Sequence, residues 1–334
     1  MTAPIDPPSA TVVEERPQAG PGGTPGTSIQ GRSLGQIAWM RLKRDKVAMG
    51  GAIVVILLIL IAIFAPVLVG WFGHPPNEFH QEMIDPATQT PKGGSGIGWD
   101  FLFGVEPLNG RDLFSRVVYG ARISLLIAFF ATLLSVVIGT VMGIVAGYFG
   151  GWVDTLISRV MDVFLAFPLL VFSLALIGVL AQFETSLAVK GDTLRILLLI
   201  FVIGFFNWPY IGRIIRGQTL SLREREFVDA ARSLGARGPY ILFREILPNL
   251  IAPILIYATL LIPTNVLFEA ALSFLGVGIP APTATWGGML SDAVKYYTVP
   301  HFMFFPGMAI FITVLAFNLF GDGLRDALDP KSSR

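Results

Sequence analysis

The sequence predicts an all-α membrane protein with six transmembrane helices, and two observations carry that prediction. The composition is 53% hydrophobic and only 14% charged, with mean hydropathy +0.67, too apolar for a soluble chain of 334 residues. A bilayer core takes about 20 mostly apolar residues per helix. Six runs of roughly that length occur: Val47–Val69, Ile123–Phe149, Val163–Ala181, Ile196–Gly212, Leu250–Ile279 and Phe302–Phe320. Glu269 is their only acidic or basic residue. Strands of an outer-membrane barrel would instead alternate over about ten residues.

The tail 1–32 is rich in Pro, Gly and Thr, has no apolar core, and reads as a disordered cytoplasmic segment. Glu14 and Glu15 replace the basic start of a cleavable signal. Residues 33–46, SLGQIAWMRLKRDK, form a short basic amphipathic segment on the inner face, most simply a topology anchor. The first helix spans 47–69, an external loop follows over 70–122, and the core runs over 123–321. Residues 322–334 make a C-terminal tail. The external stretch holds His74 and His80 without metal-ligand spacing and suggests no ligand site.

Charge distribution sets the orientation. Lys and Arg gather in the N-terminal tail (Arg16, Arg32, Arg41, Lys43, Arg44, Lys46) and in the fourth-to-fifth loop (Arg213, Arg216, Arg223, Arg225, Arg232, Arg237, Arg244). The positive-inside rule then places both termini in the cytoplasm. A net charge of +1 gives no reason to expect nucleic acid, and the absence of cysteine excludes disulfides and thiolate metal sites.

Within the spans, Gly139, Gly143 and Gly147 recur every four residues and place a glycine stripe on one helix face, suited to close helix packing. Pro66, Pro168, Pro209, Pro253, Pro263 and Pro306 suggest kinked helices around a path. Glu269, Asn265 and Asn207 are polar candidates inside the spans. For Glu269 a path-lining role and a structural one weigh equally; for the asparagines structure is the simpler reading.

The loop 213–248 is the richest segment. Phe227, Ala230, Ala231 and Leu234 stand at i, i+3, i+4 and i+7, one face of a short helix, while Arg223, Glu224, Arg225, Asp229 and Arg232 crowd the others. Gly235 follows where a helix C-terminus favours glycine, and Gly238-Pro239 can open a second helix to Ile246. A small apolar face with two alanines fits a docking partner; an amphipathic helix lying on lipid headgroups is the alternative.

At these residues the chain resembles a known family. EFVDAARSLG (Glu226–Gly235) with Ile246-Leu247-Pro248-Asn249 is similar to the EAA loop of permease subunits from ABC-type importers, in the dipeptide and oligopeptide version. GRDLFSRVVYGARISL (Gly110–Leu125), GGWVDTLISRVMDVFLAFPLL (Gly150–Leu170), FEAALSFLGVG (Phe268–Gly278), WGGML (Trp286–Leu290) and LAFNLFGDGLRDALDP (Leu315–Pro330) resemble its other signatures, closest to the DppC/OppC type. Two departures stand out. The turn before Gly110 is one residue longer than usual, with Glu106 where an acidic residue is expected, and Asp229 takes the first position of the E-A-A triplet.

The resemblance implies a type I (MetI-like) importer core with an extra N-terminal helix in the cytoplasmic (inner) membrane. It implies as partners a second homologous permease, one or two ABC ATPase subunits, an extracytoplasmic substrate-binding protein and a peptide substrate. Glu226, Phe227, Asp229, Ala230, Ala231, Arg232, Leu234 and Gly235 would then couple to the ATPase. The chain has no G-x-x-x-x-G-K-[ST] phosphate loop, so ATP and Mg would belong to partner subunits and this chain would bind no cofactor. A partner-independent secondary transporter or channel is the alternative class. An intramembrane enzyme has no His-Glu-x-x-His or Gly-x-Ser-x-Gly to support it.

Overall fold

The computed structural model describes residues 34–182 and 191–329, so the expected disordered tail 1–32 and the last five residues lie outside the described part. The described chain is helical, with two isolated bridges, Ile84–Pro91 and Val105–Asp112, and no strand. Among the described residues five helices are long and apolar enough to cross a bilayer, six if a pair bent by 80° counts as one broken span.

The basic segment forms α1 (Leu34–Arg44). Its buried Leu42 meets Ala48 and Ala327, and Arg41 Nη1 donates to the carbonyl of Asp329 at 2.8 Å, so it packs on the chain's last helix as well as carrying charge. Asp45 then caps α2 (Lys46–Ile63), accepting from the N–H groups of Val47 and Ala48. The first span is not one helix over 47–69. It breaks at Phe64 and resumes as α3 (Ala65–Phe72), because Pro66 lacks an N–H and its ring clashes with the preceding turn.

The external loop is shorter than expected, since α4 (Leu113–Phe149) begins ten residues before the apolar run. Asp112 sets that start, accepting from the N–H groups of Phe114 and Ser115. After α4 the third run is also broken. α5 (Gly151–Ala166) and α6 (Leu169–Gln182) meet at 80°, with Phe167 in an extended conformation before Pro168. The other four prolines lie within continuous helices or, for Pro209, inside the 32-residue α7 (Gly191–Leu222).

The glycine stripe of α4 faces α7. A Cβ at Gly139 would come within 2.7 Å of the Trp208 carbonyl oxygen, and one at Gly143 within 2.6 Å of that of Gly212. The two helices thus run backbone against backbone, the closest approach that residues without side chains permit. They are the most extensively packed pair in the molecule.

Beyond α7 come α8 (Glu226–Ser233) and a helix that runs without interruption from Gly238 to Phe274. Its parts are α9 (Gly238–Tyr240), a π-helical stretch Ile241–Ile246 and α10 (Leu247–Phe274). The second helix of the loop therefore does not stop at Ile246; it is the start of the fifth span. α11 (Trp286–Lys295) lies across α4, α10 and α12 (Pro300–Leu328) on the opposite side from α8. α12 absorbs most of the expected C-terminal tail, Asp322 included.

Candidate interaction site

An eight-residue helix is too short to hold itself together in water. α8 is therefore stable only through what it touches. Val228 and Ala231 point inward, onto Ile144 of α4, Ile211 and Ile215 of α7, and Ile241, Ile246 and Leu250 of the following helix. Burying a valine of this kind contributes about 1.5–3 kcal/mol. At the other end, Gly235 takes φ +83. Its N–H donates to the Arg232 carbonyl at 2.9 Å, while that of Ala236 donates to Ala231 at 3.0 Å. That paired arrangement closes the helix and requires a left-handed residue, which glycine supplies at no steric cost.

The inward face differs from the expected one. Ala231 is 9% exposed and joins the interior cluster, while its remaining surface lies on the groove beside the helix. Phe227 at 38%, Ala230 and Leu234 at 89% stay outside and form the open stripe. The sequence reading missed Val228. The segment carries two apolar stripes, Phe227–Ala230–Leu234 and Val228–Ala231, and periodicity cannot say which one faces in. Beside the open stripe, Leu234, Gly235, Arg237, Tyr240 and Glu245 border a groove of about 490 Å³.

Charged side chains tie the base of α8 to the spans. Arg223 Nη1 donates to the Gly147 carbonyl at 3.0 Å, at the end of α4. Arg216 of α7 pairs with Asp154 of α5 through two hydrogen bonds, and Arg213 reaches Asp162 at 2.8 Å. The Arg232 guanidinium lies 6.0 Å from the Tyr148 ring. Asp229 and Arg232 pair at 3.2 Å on the exposed side, where such a contact contributes at most about 1 kcal/mol. Glu226 opens the helix in its first turn, where a negative charge complements the helix dipole.

The polar candidates within the spans occupy a different place. Asn207 Nδ2 donates to Asn265 Oδ1 at 2.9 Å, and Asn265 Nδ2 donates to Thr132 Oγ1 at 2.8 Å, linking α7, α10 and α4. Ser273 Oγ donates to Glu269 Oε1 at 2.8 Å. Asn265 and Glu269 are both 0% exposed in this conformation; Asn265 links helices, whereas the Ser273 bond to Glu269 stays within α10. Asn207 remains half-buried and is the one of the three with an open side.

The turn at Glu106 is likewise more than a connection. Glu106 is buried and accepts from Arg111 Nε at 2.8 Å and Arg116 Nε at 2.5 Å. Arg116 Nη1 also donates to the carbonyls of Pro76 and Pro282 and to Asn77 Oδ1. This hub joins the external segment, α4 and the loop before α11. Its one sequence signal was an acid beside two arginines in a short polar stretch. Among the described residues, no group of three His, Cys, Asp or Glu is placed to hold a metal ion.

Two family models match the sequence. One, described as binding-protein-dependent transport system inner membrane component, covers residues 139–334; the other, the N-terminal TM domain of oligopeptide transport permease C, covers 33–91. The chain is 42% identical over 295 residues to the dipeptide transport system permease protein DppC of Alkalihalophilus pseudofirmus, spanning 88% of this chain and 89% of that one. It is 43% identical over 294 residues to the glutathione transport system permease protein GsiD of Escherichia coli O157:H7, with the same coverage. Among solved structures it is similar to the inward-facing MetNI methionine ABC transporter, with TM-score 0.53 at 18% identity over 65% of this chain and 98% of that one. That likeness shows the fold.

Proposed function

Because the chain belongs to the family of binding-protein-dependent transport system inner membrane components, we propose that it forms half of the path of an ATP-driven peptide importer and takes its stroke through α8. The observation that carries the coupling role is the two-sidedness of α8, whose Val228 and Ala231 are bound to three spans while Phe227, Ala230 and Leu234 are bare. A partner that grips the bare stripe moves α4, α7 and α10 with it. Arg223, hydrogen-bonded to the end of α4, makes that link polar as well as apolar.

The partner of the stripe is an ABC ATPase subunit, and ATP with Mg belongs there. A second homologous permease completes the path, and an extracytoplasmic binding protein delivers substrate. Both termini lie in the cytoplasm, in accord with the basic loop and tail. ATP binding shifts the complex between inward- and outward-facing states by its different affinity for the two. The cargo is a dipeptide or longer peptide, supported by the identity to a dipeptide permease; a glutathione-like tripeptide is the second reading, supported by the comparable identity to a glutathione permease. A secondary transporter or channel acting alone is not favoured by family membership.

A mild-detergent pull-down of the tagged chain from its own host, with the recovered proteins identified by mass, tests this reading. Recovery of a second permease and ATPase subunits supports it. Recovery of the chain alone, as a folded homo-oligomer, overturns it.

A further inference from the structure

One recess has a chemistry that transport coupling does not use. Between α2, α4, α10 and α12 lies a space of about 520 Å³ lined by Ile59, Ala62, Ile63, Leu126, Phe129 and Ile262, with a single charged residue, Arg122. Along α4 the lining begins at Arg122 and descends to Phe130, so the cation stands at the end farthest from the α8 loop.

Its depth identifies the environment. About 40 Å of helix separates Arg122 from Phe149, the last residue of α4, at 1.5 Å per residue. A bilayer is about 30 Å thick in its hydrocarbon and about 40–45 Å with its headgroups. Arg122 is therefore at headgroup level, and Leu126 and Phe129 are among acyl chains. The α2 side agrees: Ile63 is the last residue of an 18-residue helix that starts on the loop side. The Arg122 side chain is exposed and has no hydrogen-bond or ion-pair partner among the described residues. An unpaired guanidinium above an apolar recess presents a fork of donors matched to a phosphate.

We propose that this recess binds an anionic phospholipid of the leaflet opposite the α8 loop, its phosphate on Arg122 and one acyl chain against Ile63, Leu126 and Phe129. A net-anionic headgroup is favoured over a zwitterionic one because no acidic side chain lines the recess to receive an ammonium group. The site depends neither on the cargo nor on which ATPase drives transport.

The test uses the assembled transporter in nanodiscs of equal phosphatidylglycerol and phosphatidylcholine, with the lipid retained after detergent extraction measured by mass spectrometry. Wild type retains phosphatidylglycerol in preference by about tenfold, the scale of one charge-assisted contact. Arg122→Gln brings the ratio to parity, and Ile63→Trp, which fills the mouth of the recess, lowers total retained lipid with the charge intact. An unchanged ratio in an assembled Arg122→Gln complex overturns the proposal. So do cross-links placing another subunit in the recess, which would make the occupant a protein. If Arg122→Gln does not assemble, Ile63→Trp decides, and unchanged lipid retention there overturns it.

Discussion

Glu106 holds two guanidinium groups in a space where all three side chains are nearly sealed from water. A buried ion pair is not in itself a large source of stability, but removing one member leaves the others charged and uncompensated, at about 3–5 kcal/mol. Glu106→Gln is expected to destabilise the external segment by an amount of that order, seen as a lower melting temperature of the purified complex, with the membrane-inserted yield less affected. The α8 stripe calls for the opposite kind of residue. Leu234 buries almost nothing, so Leu234→Glu should change stability by less than about 0.5 kcal/mol. The same substitution should abolish recovery of ATPase subunits in a pull-down, because it places a charge in the middle of the contact. Ala231→Glu would be a poorer probe, since Ala231 borders both the interior cluster and the groove, and a loss of binding there would not separate a disturbed α8 from a blocked contact. Gly235→Val sits between the two: its φ of +83 strains a β-branched residue by about 1–3 kcal/mol and misdirects the chain leaving α8.

The elements were legible to different depths. The apolar runs located every span, because lipid admits few alternatives to a helix. They misplaced the ends, because a helix that continues beyond the bilayer turns polar there: α4 starts within GRDLFSRVVYGAR and α12 ends within GDGLRDAL. Six prolines looked alike in the sequence, yet only Pro66 and Pro168 coincide with broken helices. What a proline does depends on whether neighbouring helices satisfy the carbonyl it frees, and that information is tertiary. The glycine stripe was the clearest signal, and its packing role follows from spacing alone. Gly143→Ile should separate α4 from α7, since even one methyl would meet the Gly212 carbonyl at 2.6 Å. The expected result is a destabilisation of about 1–3 kcal/mol, read by thermal unfolding in detergent, with a Gly217→Ala control near zero because that position meets nothing within 4 Å. In the candidate site, Gly235 and the open Phe227–Ala230–Leu234 stripe were visible, while Val228 and the Arg223 clamp were not, because both depend on which spans lie behind the loop.

As a whole, the chain belongs to a family of transporter-complex subunits, and on the proposed reading it forms half of the path. The expectation that follows is that the purified chain in liposomes gives no ATP-dependent peptide uptake, whereas liposomes containing both permeases, the ATPases and the binding protein do. Uptake by the chain alone, measured with a radiolabelled dipeptide, would count against the shared path. The 37-residue α4 has a further consequence for such an assembly. At 1.5 Å per residue it is a rod of about 55 Å, longer than a bilayer with its headgroups. One end carries the carbonyl held by Arg223, and the other carries the cap and ion cluster of the external segment. Turning such a rod by about 5° around its inner end would sweep its outer end through about 5 Å. An angular change too small to disturb the glycine seam could thus open or close a rim wide enough for a peptide backbone, with the leverage supplied by length alone.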